Sequence, residues 1–109
     1  MLDAETLARK HSNAGEERAE AYAALKLMED TEKTVLAQHT QKYLDEGAKS
    51  VAAAESLARA CPEFDEFIQT KGKVRLEYSL ADVKYESMRV YIDMLRANQA
   101  LERAQMALV

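Results

Sequence analysis

The chain has 109 residues, room for one domain and no more, and its 48% hydrophobic content excludes wholesale disorder. Three glycines, one proline and no tryptophan sit among abundant Ala, Leu, Glu, Lys, Arg and Met, and no run alternates as a strand would, so the class is all-α. A net charge of −4 and a pI near 5.2 argue against a generic surface for DNA or anionic membranes, and no apolar run approaches the roughly 18 to 20 residues that span a bilayer.

The opening residues, Met1-Leu2-Asp3-Ala4-Glu5, are acidic and lack the apolar stretch of a signal peptide, so the cytoplasm is the expected compartment. Asp3 is a suitable N-cap, with Glu5 in the first turn of a helix expected over about 3–46. Its apolar positions recur as Leu7, Ala14, Ala21, Met28 and Val35, flanked by Ala8, Tyr22, Leu25, Leu36 and Tyr43. Asn13 followed three residues later by Glu16 has the form of a capping box. The helix either restarts there, leaving residues 3–12 as an arm, or runs through.

Gly47 suits the position after a helix end, and Gly47-Ala48-Lys49 reads as a turn. Ser50 caps a short, alanine-rich helix over 51–60. Cys61 then serves as N-cap and Pro62 as first residue of a last helix over 62–108, with Glu63, Asp65 and Glu66 at the positive end of its dipole. Gly72 is a place for a kink, but the heptad passes through it in register, which favours continuity.

Numbered in sevens from Phe64, the last helix carries two seams. The a and d positions read Phe64, Phe67, Lys71, Val74, Tyr78, Ala81, Tyr85, Met88, Ile92 and Leu95, broken only by Lys71. The c and f positions read Leu76, Leu80, Val83, Ser87, Val90, Met94, Ala97, Leu101, Ala104 and Leu108, broken only by Ser87. Two apolar seams on one helix require more than one partner helix. The expected architecture is therefore a long antiparallel hairpin with a short corner helix, associating into a coiled-coil-like bundle. Leu76, Leu80, Val83, Val90, Met94, Leu101 and Leu108 are the candidate interface, in a dimer or a higher oligomer.

Catalytic chemistry has little to work with. His11 and His39 lie almost eight turns apart on one helix and read as surface or seam residues. Cys61, the single cysteine, allows no intrachain disulfide and reads as a small helix cap. There is no Glu-x-x-His pair, phosphate loop, Gly-x-Ser-x-Gly or His-Glu-x-x-His. Neither an enzyme nor a cofactor or metal is expected.

Arg75, Arg89, Arg96 and Arg103 all occupy e positions and form a basic stripe beside the a/d seam, interrupted by Asp82. They pair with Glu16, Glu17, Glu20, Glu29 or Glu32 of a neighbouring helix, or they track a phosphate backbone. Tyr78, Tyr85 and Tyr91 are able to stack on bases, though two of them belong to the a/d seam. The acidic residues of 16–32, with Glu63, Asp65 and Glu66, read as a solvated face or as a DNA-like acidic rod.

The string Lys49-Ser50-Val51-Ala52, continuing as Glu55-Ser56-Leu57-Ala58-Arg59-Ala60-Cys61-Pro62-Glu63-Phe64, resembles a pattern in small helical proteins of tailed bacteriophages and prophages. In that pattern a Ser-Val-Ala-x-x-Glu corner helix leads into Ala-Arg-Ala-Ser-Pro-Glu-Tyr; here Cys61 stands for the serine and Phe64 for the tyrosine. The resemblance covers about 15 residues and carries no activity or site residue. It implies a phage-encoded accessory factor in the host cytoplasm, near recombination or replication genes, with a phage or host protein as partner. The expected function is a non-enzymatic oligomeric adaptor. A single-strand DNA-binding accessory protein and an acidic inhibitor of a host nuclease or DNA-binding protein are the alternatives.

Overall fold

The computed structural model describes residues 3–108. Among them are three helices, α1 (Ala4–Asp45), α2 (Val51–Ala60) and α3 (Pro62–Ala107), and no strand. The fold is all-α, and within each of two compact units a stretch of α1 packs antiparallel on a stretch of α3 as in a helical hairpin. The described residues divide into two compact units. One joins the start of α1, up to Glu20, to α3 from Ser79 onward; the other comprises Ala21–Tyr78.

Local chemistry sets each boundary. Asp3 Oδ1 accepts the Thr6 backbone N–H at 2.7 Å and its carbonyl accepts the Leu7 N–H at 3.0 Å, so an orphan donor of the first turn is satisfied. That backbone bond holds the Asp3 carboxyl below its ordinary pKa. At the other end, Gly47 takes φ +103°, which an L side chain resists. Its N–H reaches the Leu44 carbonyl at 3.1 Å and that of Ala48 reaches Tyr43 at 3.0 Å, the paired bonds of a Schellman stop. Ser50 Oγ accepts the Ala53 N–H at 3.1 Å to open α2. Cys61 serves two helices at once. Its N–H closes α2 on the Ala58 carbonyl at 3.2 Å, and its carbonyl accepts the Asp65 N–H at 3.1 Å to open α3. Pro62 costs nothing there, because the first residue of a helix has no partner for an N–H.

The capping pattern at Asn13 is not used. α1 runs through it, because Ala14 is buried against α3 and a restart would rotate that row away. α3 likewise passes through Gly72 without a break.

The unit of residues 21–78 has a core of Leu25, Ala54, Ala58, Cys61 and Phe64. Ala54 and Ala58, four apart and fully buried, present one small-residue face of α2. Phe64 stacks on Phe67 with centroids 6.2 Å apart, and Tyr22 meets Tyr78 at 5.6 Å. Lys71, the one charge in the α3 seam, donates from Nζ to Glu32 Oε1 of α1 at 2.9 Å.

In the other unit Leu7 and Ala14 are buried. Tyr85 of α3 enters the space between His11, Ala14, Gly15 and Arg18, the i, i+3, i+4, i+7 set that forms a hole on a helix. The His11 ring stacks on Tyr85 at 4.5 Å, and the Arg18 guanidinium lies 3.7 Å from the ring centroid. Arg18 Nη1 also donates to Asp82 Oδ1 at 3.2 Å and to Glu86 Oε1 at 3.4 Å. Gly15 makes room for this, since a Cβ there would stand 3.3 Å from Tyr85 Cε2.

Candidate protein-interaction surface

The burial pattern of α3 separates its two seams. Every a and d residue from Phe64 to Leu95 is buried or half-buried. In the unit containing the end of α3, Leu80, Val83, Val90, Met94, Leu101 and Leu108 lie exposed, between 47% and 88% of their surface open to solvent. Leu76, in the other unit, is also exposed. Large side chains left open in a repeating line on one helix face make this seam the candidate interaction surface, because soluble chains seldom leave such apolar strips to water. Tyr91, beside Val90 and Met94, is about half exposed and adds an amphipathic ring to the strip. Its g position lies outside the apolar period, so neither seam includes it.

The arginine stripe does not bridge to α1. Arg89 Nε donates to Glu86 Oε2 at 2.8 Å and its Nη1 to Asp93 Oδ2 at 3.2 Å, both on α3. The hydrogen bond to Glu86 raises the Arg89 pKa. Arg103 Nε approaches the Gln99 carbonyl at 3.4 Å, and Arg75 and Arg96 are exposed. The pairing expected of these arginines is made instead by other cations. Arg18 reaches from α1 to Asp82 and Glu86, Lys84 meets Glu17 at 3.0 Å, and Lys71 meets Glu32. Two carboxylates of the 16–32 face are therefore neutralised by lysines of α3.

His11 is half-buried in the seam on Tyr85, and His39 is half-buried in α1. Tyr78 and Tyr85 belong to the packed seam, leaving Tyr91 as the exposed member of the three tyrosines of α3. The Cys61 thiol is free and 3% exposed. Among the described residues no group of three or more His, Cys, Asp or Glu is placed to hold a metal ion. No described helix is long and apolar enough to cross a membrane. A groove of about 490 Å³ separates the first turns of α1 from α3, lined by Leu7, His11, Ile92, Leu95, Arg89 and Arg96 among others.

In comparison with known proteins, the chain matches no family model, no curated protein and no solved structure.

Proposed function

We propose that this chain is a non-enzymatic interaction protein that self-associates through the exposed seam of α3 and so presents a helical assembly to a protein partner. One observation carries the reading: a helix whose first seam is packed exposes a second, with Leu80, Val83, Val90, Met94, Leu101 and Leu108 in line. Fully burying one such side chain is worth about 1.5–3 kcal/mol, so a strip of them is a substantial drive to associate. Service in phage recombination or replication, in the host cytoplasm, is the proposed setting. The resemblance of residues 49–64 is what supports it.

The test is affinity purification of tagged protein from cells carrying its natural genetic neighbourhood, with and without nuclease, beside a Val90→Glu, Met94→Glu variant. A stoichiometric protein partner that survives nuclease and is lost with the variant agrees with the proposal. Retention of nucleic acid that disappears with nuclease, and with Arg89→Ala plus Arg96→Ala, contradicts it in favour of binding along the arginine stripe.

A further inference from the structure

The exposed strip changes character along α3. It consists of two rows, each spaced by seven residues. One row reads Leu80, Ser87, Met94, Leu101, Leu108; the other reads Val83, Val90, Ala97, Ala104. Beyond residue 90 the first row holds only large side chains and the second only alanine. The seam facing α1 changes in the opposite sense, because after Leu95 its next positions are Gln99 and Glu102. All residues from 96 to 108 are exposed. Apart from Met106 on the first seam, the large apolar side chains of this last stretch of α3 lie on the second seam, and helices in proteins draw most of their stability from packing such a face.

We infer that this face is covered by the same stretch of a second copy, lying antiparallel, with the two-fold axis passing beside Asn98 and Ala100. The inference rests on the self-association proposed above and assigns its geometry. In a parallel, in-register pair each core layer takes the same row from both helices. Met94 and Leu101 would then meet their own copies in wide layers, alternating with narrow layers of paired alanines. One interhelical distance cannot serve both, and the result is overlap in one layer and a void in the next.

In an antiparallel pair each layer takes one residue from each row. Met94 then lies opposite Ala104, Ala97 opposite Leu101, and Val90 opposite Leu108, so large meets small in the central layers. Sliding by one heptad puts Ser87 against Ala104 in the core, and sliding by two brings Asp93 against its own copy. In the matched register Asn98 flanks Asn98, Tyr91 flanks Gln105 and Asp93 flanks Ala107, so no like charges face each other. Arg96, Glu102 and Arg103 occupy d and e positions, on the far side of the helix from this strip. An uncharged, self-complementary strip fits a second copy of itself better than it fits a nucleic acid or a charged peptide.

Site-directed disulfide formation in a Cys61→Ala background tests the geometry, with mass measured under the same conditions. Asn98→Cys alone is expected to oxidise to a covalent dimer, and an equimolar mixture of Tyr91→Cys and Gln105→Cys to give the mixed dimer. Cross-linking between Ala100→Cys and Gln105→Cys, without the Asn98→Cys dimer, would identify a parallel pair. That would overturn the geometry and leave self-association standing. A dimeric mass with neither pattern places the contact elsewhere and also overturns it. A monomeric mass for the unlabelled protein overturns the inference and the proposal beneath it together.

Discussion

Three glycines stand in three different environments, and replacing each by alanine tests the packing at Tyr85 against built-in controls. At Gly72 a Cβ meets nothing within 4 Å, so Gly72→Ala gains only helix propensity, about 1 kcal/mol, or roughly 4 °C in Tm for a chain of this size. Gly15→Ala gains the same propensity. Its Cβ, however, would sit 3.3 Å from Tyr85 Cε2, closer than the comfortable carbon–carbon range of about 3.5–4.0 Å, with Cδ2 in ordinary contact at 3.6 Å. Tyr85 cannot withdraw freely, since the His11 ring at 4.5 Å and the Arg18 guanidinium at 3.7 Å hold its faces. Overpacking of this kind costs about 1–3 kcal/mol, which cancels or outweighs the propensity gain. Gly47→Ala has ample space but inherits φ +103°, and loses about 1 kcal/mol to backbone strain. Thermal melts followed by circular dichroism at one fixed protein concentration should give Gly72→Ala above wild type, Gly15→Ala at or below it, and Gly47→Ala below. A Gly15→Ala protein stabilised as much as Gly72→Ala would show that Tyr85 is not seated as described.

The Lys71–Glu32 pair is half-buried, with side chains 16% and 32% exposed, so removing one partner strands the other. Lys71→Met alone should lower stability by about 1 kcal/mol in urea melts, while Lys71→Met with Glu32→Leu should restore it to wild type or above. A double variant no better than the single would show that the charges do not act as a pair. At the start of α1, the folded pKa of Asp3 is depressed by the Thr6 N–H. Its contribution is therefore complete above the ordinary carboxylate pKa and is lost as pH falls through the lower folded value. Carbon NMR titration should place the Asp3 midpoint lower in the protein than in an unfolded peptide of the same sequence; equal midpoints would refute the cap.

How much of this was legible depended on which residues faced inward. The α3 seam was open to reading because nearly every inward position is apolar, from Phe64 to Leu95, and burial follows that list. α1 was read only in part. Its packed face combines the expected row of Leu7, Ala14, Ala21, Met28 and Val35 with a second row, His11, Arg18, Leu25, Glu32 and His39. All of the second row but Leu25 are polar, so a search for apolar periodicity passes over them. Their seven-residue spacing was the available signal. Arg18 and Glu32 are tolerated inward because long side chains lay their stems on the seam and carry their charges to partners at its edge. No sequence pattern announces that Gly15 opens a slot for Tyr85, a pairing of residues 70 positions apart. The capping pattern at Asn13 left a restart and a continuous helix both open, and the helix runs through: local preference yielded to the burial of Ala14. The partners of Arg89 were legible in principle, because Glu86 and Asp93 are its i−3 and i+4 neighbours and need no second helix.

The claim at the centre is that the second seam of α3 is covered by association. Its most direct test is molar mass by sedimentation equilibrium across a wide concentration range, for wild type and for Val90→Glu with Met94→Glu. The wild-type mass is expected to rise to a multiple of 12.3 kDa while the variant stays at 12.3 kDa with its helical content intact. A wild type that remains monomeric throughout, or a variant that assembles equally well, would contradict it.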